Sequence, residues 1–290
     1  MAVTHKAKLI DGRAMAARAK QEIAARVHRL QAESRSVRLD AVLVGADSPA
    51  SIYARNQGKG CRELGIEYVL HRLPADATHE DIAGRILLLN ADHKVNAIMV
   101  HLPLPEGVDT ERIQSLLDVA KDVEGVNSAN IGRVVYGRRS LVPCTALAVL
   151  EMIESTGIKL AGTRCVCVGA SNIVGKPIAI LLMQAEATVI STNKYTAQLA
   201  DLTRTGDVLV SATGVPGVIR APMVKPGAVV IDVGMAPITD PGTGRDRLVG
   251  DVAFDEVCEV AAFVSPVPGG VGAMTVAMLL RNTVDSSSRE

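Results

Sequence analysis

TRCVCVGASNIVGKPIAILLMQAEATVIST, residues 163–192, decides the fold. Its first eight residues are an apolar run that stops at Gly169, too short for a helix and dense in Val, which reads as a buried strand. Residues 171–186 carry apolar side chains at helical spacing, and ATVIST (187–192) reads as a second strand. A strand, a glycine turn, a helix and a strand within thirty residues make a βαβ unit, whose two strands must be parallel. The same pattern repeats in DVLVSATG (207–214) and AVVIDVG (228–234), each an apolar run closing on a small residue. Such a series predicts a doubly wound, Rossmann-like sheet.

Within that unit, Gly169 permits a tight turn, and Gly175 lets the following helix lie close to the strand. Ser171 suits either a phosphate contact or a helix cap. The free N–H groups and the positive dipole end at the start of the helix suit a pyrophosphate. Gly169, Ala170, Ser171, Ile173 and Val174 therefore form a candidate dinucleotide turn. Thr213, Gly214 and Met235 join them, because they end two later strands, where open α/β sheets take their ligands. The turn departs from GxGxxG, and an ordinary doubly wound domain with small residues at its turns would look the same.

Working towards the N-terminus, strand-like and helix-like segments alternate again. Helices are expected over Gly12 to about Ser34, Ser51 to Leu64, residues 79–92 behind a Thr78 cap, and Thr110 to near Val119. Strands are expected over 38–45, 66–73 and 95–105, the last ending in HLPLP. A connecting helix with Pro143 near its start covers 143–156. The fold class is thus α/β with two domains. The first spans 1–144, with a C-terminal helix 273–286 returning to it, and the second is a dinucleotide-binding domain over 145–272.

Composition narrows the function classes. The chain has 290 residues, 48% hydrophobic but only 2% aromatic, so its core is built from Ala, Val, Ile and Leu. That suits parallel strands covered by helices. Lys plus Arg and Asp plus Glu both number 31, which leaves no net charge to draw the chain to nucleic acid or to an anionic membrane. The five cysteines fit no zinc spacing, and Cys165 and Cys167 sit inside an apolar run, so buried thiols and no metal are expected. No secretion signal or spanning segment is seen, and reduced cysteines suit a cytoplasmic protein. One stretch stands apart: SPVPGGVGAMT (265–275) combines two prolines and three glycines without a charge. It is either a loop leading into a helix or a rigid loop that a ligand approaches.

VGASNIVGKP, ATGVPGVI, VKPGAVVIDVGM, LVGDVAFDEV and SPVPGGVGAMT together resemble the methylenetetrahydrofolate dehydrogenase/cyclohydrolase family, the bifunctional FolD proteins. VGADSPASIYARNQ, MVHLPLP, KDVEGVNSANIGRV and PCTALA resemble it in the N-terminal half. The likeness covers nearly the whole chain in order. It implies an N-terminal folate domain, a Rossmann domain, a homodimer, and NADP-dependent oxidation of 5,10-methylenetetrahydrofolate followed by hydrolysis to 10-formyltetrahydrofolate. It also implies that Pro268, Gly269 and Gly270 line the substrate cleft.

Several cleft positions depart from the family pattern. Tyr53 is present, but Gln57 stands where the family has its catalytic Lys, His101 where it has Gln, Glu124 where it has Asp, and Ala146 where PCTP ends in Pro. Ser265 and Ala273 replace Thr and Pro in the loop. Tyr53, Gln57, His101 and Glu124 are the candidate catalytic set, with Tyr53, His101 and Glu124 also holding substrate. Hydride transfer needs orientation but no base at the reacting carbon. Hydrolysis needs a group that takes a proton from water. Gln57 cannot titrate, so cyclohydrolase activity is expected to be weak or lost. His101 either substitutes for the Lys or serves as a hydrogen-bonding partner of substrate or Tyr53. Alternatively the changes serve another substrate, or folate binding without turnover. Lys194, behind strand 187–192, is a candidate for a 2′-phosphate, which makes NADP the first expectation and NAD the second; its other reading is a solvated loop lysine.

Overall fold

The computed structural model describes residues 7–45, 50–138, 141–239, 244 and 246–288. In chain order the elements are β1 (Lys8–Leu9), α1 (Gly12–Ala32), β2 (Arg38–Val44), α2 (Ala50–Glu63), β3 (Glu67–Leu73), α3 (His79–Ala91), β4 (Ala97–Val100), α4 (Thr110–Ser115), α5 (Ser128–Val135) and α6 (Cys144–Glu154). They continue with β5 (Arg164–Val168), α7 (Gly175–Gln184), β6 (Thr188–Thr192), α8 (Leu199–Thr203), β7 (Val208–Ser211), β8 (Val229–Asp232), β9 (Ala236–Thr239), β10 (Asp246–Val249), α9 (Phe254–Val257), β11 (Phe263–Val264) and α10 (Val271–Ser287). They form two compact units.

One unit comprises residues 17–144 together with 276 onward. Its sheet is parallel, in the order β3-β2-β4. Val42, Ile82, Ile86, Ile98 and Ile113 are fully buried between sheet and helices. The KDVEG segment forms the margin of this sheet, where Ile98 bridges to Asp122 in parallel. Each of its residues has a separate job. Lys121 Nζ donates to the carbonyls of Leu89, Asn90 and Asp92 and so closes the end of α3. Asp122, wholly buried, accepts from the N–H groups of Gly125 and Asn127 and from Asn130 Nδ2. Gly125 has φ +70, and a Cβ there would lie 2.6 Å from the backbone of Val142 and Pro143. The turn that carries Glu124 is therefore held from both sides.

The other unit comprises residues up to 16 together with 145–275. Its main sheet has six parallel strands in the order β1-β11-β8-β7-β5-β6, and β9 and β10 pair antiparallel as a separate ribbon. The expected strands at 163–170, 187–192, 207–214 and 228–234 all appear, trimmed at their ends. The expected assignment of residues 7–16 to the first domain changes: Lys8 and Leu9 pair with Phe263 and Val264, so the start of the chain completes this sheet. Strands of two residues carry too little pattern to be read ahead of the fold.

Two helix expectations shift for visible reasons. The helix expected from 171 begins at Gly175, because Val174 has φ −121 and ψ −68, outside the helical region. The helix expected to reach Val119 stops at Ser115, and Asn127 Nδ2 takes the carbonyls of Ser115 and Leu117 beyond it. The buried Asn282 of α10 does the same for the carbonyls of Val123 and Val142. Replacing Asn282 by Leu leaves the Val142 carbonyl without its donor and Val123 with only the weak Cys144 Sγ donor, so N282L should lower stability by about 1–3 kcal/mol, read as a lower urea midpoint in far-ultraviolet circular dichroism.

Candidate active site

On the dinucleotide side, two turns meet at the point where the strand order reverses. Gly169 ends β5 with φ +104, and a Cβ on it would overlap the Ala212 carbonyl that follows β7. A Cβ on Gly175 would overlap the Gly169 carbonyl in turn. The backbone of three segments is thus packed without side chains between them, as close approach to a pyrophosphate requires. Ser171 Oγ accepts from Gly175 N–H at 3.3 Å, so it serves as a cap for the turn while remaining exposed. Ala170 and Val174 are half-buried, and Ile173 is exposed.

Thr213 is committed to the protein. Its N–H and hydroxyl both donate to Asp251 Oδ2, at 2.6 and 2.9 Å, and its hydroxyl accepts from Val215 N–H. It shapes the turn with no donor left over, while the neighbouring Gly214, at φ +71 with open space around it, and the exposed Met235 face outward. Asp251 organises this turn, a role that no local sequence pattern marks; its carboxylate also receives Ser211 Oγ. Asp232, one strand over, accepts from Gly234, Asp251 and Val252 N–H, yet burial pushes its carboxyl up to about 6. Lys194 is exposed, its Nζ 5.0 Å from the centre of the Tyr195 ring. Cys165 and Cys167 lie buried in β5, their thiols pushed up to about 12 by burial and so inert.

The 265–270 loop belongs to this same unit. Ser265 is fully buried and its hydroxyl accepts from Asp232 N–H, a role that the Thr of the family pattern would also fill. Gly270 is buried against Gly12, where a Cβ would meet its carbonyl, and Gly269 accepts from Arg13 N–H. The start of α1 thereby fixes the loop. Pro268 is its exposed crest.

In the other unit, Tyr53 and Gln57 stand one turn apart on α2, on one face, with Tyr53 57% exposed and Gln57 half-buried. The VGADSP part of their motif falls at residues 46–49, outside the described residues. Gly58, next to Gln57, packs on the Tyr68 ring of β3, and Tyr68 Oη lies 3.4 Å from His101 Nε2. His101 is 6% exposed, and burial pushes its imidazole down to about 4, so it is neutral at physiological pH. Its N–H is bonded to Val42, while the preceding Val100 N–H, on the other edge of β4, donates to the Glu124 carboxylate. Desolvation, then the charge of Asp122, raises that carboxyl to about 7. A continuous run of contacts therefore joins the α2 backbone beside Gln57 to His101 and Glu124. Lys59 points into an ion pair with Glu63 at 3.9 Å.

The sequence model of the tetrahydrofolate dehydrogenase/cyclohydrolase catalytic domain matches residues 10–124, and that of the NAD(P)-binding domain matches residues 143–290. The chain belongs to the tetrahydrofolate dehydrogenase/cyclohydrolase family. It is 46% identical over 287 residues to the bifunctional protein FolD of Cupriavidus metallidurans, covering 98% of both chains. It is 43% identical over 277 residues to that of Campylobacter concisus, covering 96% of both. Among solved structures, the N5,N10-methylenetetrahydrofolate dehydrogenase-cyclohydrolase of Trypanosoma brucei, complexed with NADP and an inhibitor, superposes with a TM-score of 0.92 at 37% identity, with 98% of each chain covered.

Gly175→Ala should push the α7 start away from Gly169, costing about 1–3 kcal/mol of stability and weakening dinucleotide binding at least about tenfold; melting and calorimetric titration with NADP and NAD check both.

Proposed function

We propose that this protein oxidises 5,10-methylenetetrahydrofolate to 5,10-methenyltetrahydrofolate with NADP, or with NAD, and that it hydrolyses the methenyl product weakly or not at all. Support for the first half comes from the family membership and from the glycine-built turn at Gly169 and Gly175, which packs the start of α7 directly on the end of β5, as dinucleotide-binding turns do. The observation that carries the second half is the pairing of a non-titrating Gln57 with an imidazole at His101 that burial keeps near 4.

The oxidation removes a hydride from the methylene carbon between two folate nitrogens and leaves a delocalised cation. The bound nicotinamide supplies the hydride acceptor. The chain's own residues hold and orient. Glu124, as a carboxylate, is suited to accept from the amino group of the pterin; being one methylene longer than Asp, it reaches from the turn that Asp122 and Gly125 fix. Tyr53 offers an exposed ring and hydroxyl to the substrate. Lys194 offers a point charge to a 2′-phosphate, the basis for placing NADP ahead of NAD. No proton needs to move at the reacting carbon.

Hydrolysis is a different demand. Water adds to the methenyl carbon and must give up a proton, and one ring nitrogen must later accept one. A primary amide does neither. A histidine that protonates near 4 is a weak base, and Lys59 is engaged with Glu63. The cleft thus retains what orients a substrate and lacks what activates water. The reading includes a homodimer, as the family resemblance implies, which analytical ultracentrifugation tests.

Supplied methenyltetrahydrofolate should decay at close to its uncatalysed rate in the presence of the protein, followed continuously by its own absorbance at neutral pH with no cofactor added, because acid would close the formyl product back to the methenyl form. Hydrolysis as fast as the oxidation would overturn the second half. Gln57→Lys should raise hydrolysis by about 10²-fold or more. Calorimetry with tetrahydrofolate separates the remaining readings: no binding at millimolar concentration points to another substrate, and binding without oxidation to a protein that only holds folate. In the oxidation, kcat/KM should climb with pH while Glu124 ionises and level off above about 7, the value of its carboxyl. Glu124→Gln should remove that limb and lower the plateau.

A further inference from the structure

We infer that Tyr68 is a positioning residue for His101: its phenol donates to Nε2, the imidazole keeps its proton on Nδ1, and His101 acts towards substrate as an Nδ1–H donor. This inference rests on reading the His101 side of the unit as the folate side.

Four observations converge on it. Tyr68 Oη and His101 Nε2 are 3.4 Å apart, a long hydrogen bond between a half-buried phenol and a buried imidazole. The His101 backbone is fixed by its N–H bond to Val42, at the end of β4. The Tyr68 ring is fixed by α2: a Cβ at Gly58 would stand 2.8 Å from Cδ1 and 3.0 Å from Cε1, so the ring lies in space that any other residue at 58 would claim. A glycine inside a helix is a poor helix former. Here it has a purpose, since it admits the ring whose hydroxyl reaches the histidine. Finally, the two groups match in protonation. Burial raises the phenol, which stays an O–H donor, and lowers the imidazole to about 4, which leaves one ring nitrogen bare. A phenol that stays protonated and a neutral imidazole match in the tautomer we infer, with the O–H donating to a bare Nε2 and the ring proton on Nδ1.

The consequence is chemical. A neutral imidazole with Nδ1–H can hold a carbonyl or ring nitrogen of the substrate, but it presents no lone pair there to take a proton from water. Tyr68 thus commits His101 to the holding role rather than to substituting for a catalytic lysine.

The test uses the full-length protein with ¹⁵N-labelled histidine. Long-range ¹H–¹⁵N spectra at neutral pH report each ring nitrogen, and His101→Asn assigns the signal. We expect a protonated Nδ1 and a bare Nε2 in the parent. Tyr68→Phe keeps the ring against Gly58, so the fold should hold while the tautomer preference is lost and kcat/KM for oxidation falls by about five- to tenfold. Gly58→Ala, which displaces the ring without touching its hydroxyl, should move the spectrum in the same direction. A proton on Nε2 in the parent, or a spectrum unchanged in Tyr68→Phe, overturns the inference. The spectra need no substrate, so a parent that fails to oxidise methylenetetrahydrofolate sinks the functional reading alone.

Discussion

Backbone packed directly on backbone is the constraint on which the dinucleotide unit depends. At Gly175 on Gly169, Gly169 on Ala212 and Gly12 on Gly270, a carbonyl occupies the space where a side chain would begin. The first two contacts draw the start of α7 and the ends of β5 and β7 together, at the place where the strand order reverses. The third ties the start of α1 to the 265–270 loop. Polar groups then secure what the glycines permit. Asp251 receives the turn after β7, Asp232 receives the backbone around 234 and 251–252, and Ser265 receives Asp232 N–H. An ordinary side chain at any of these glycines would separate segments that Asp251 and Asp232 could no longer bridge.

The folate-side unit is organised by a different device, a buried carboxylate at the margin of a sheet. Asp122 collects the N–H groups of the turn that follows it, and the same turn lifts Glu124 to the free edge of β4, where Val100 N–H meets it. Two carboxyl groups two residues apart therefore differ in purpose. One is saturated with donors and serves the fold. The other keeps spare acceptor capacity, and burial leaves it titrating near neutrality.

These differences mark how far the sequence could be read. Short apolar runs ending in Gly169, Gly214 and Gly234 identified the parallel sheet, because strand periodicity and turn chemistry are local. The family-like motifs mark Tyr53, Gln57, His101 and Glu124 as candidates, but not how they are held. The role of Thr213 was hidden because its partner, Asp251, lies 38 residues away. The pairing of β1 with β11 joins the two ends of the chain through two residues each, below the length at which a pattern exists. Tyr68 carried no signal at all, being one residue of a half-buried strand. A glycine at 58, inside an otherwise regular helix, was the only mark it left, and that mark has meaning only once β3 is seen against α2.

A cleft that loses a titrating lysine should be asked what its remaining groups can still exchange with water. Gln57 has no proton to exchange. His101 is neutral over the whole physiological range, and its nearest side-chain donor, Tyr68, is a phenol that does not ionise there. Glu124 does titrate, yet its oxygens are turned to a backbone N–H and set beside the negative field of Asp122, which suits a cationic or N–H-rich partner better than a nucleophilic water. The substitutions at 57, 101 and 124 are therefore coherent. Gln57 removes a titrating group, burial keeps His101 neutral, and Glu124 keeps a carboxylate, so each leaves a group able to hold a flat, nitrogen-rich ring. In the proposed reading, that combination serves a reaction that moves a hydride and forms a cation rather than one that must deprotonate water beside that cation.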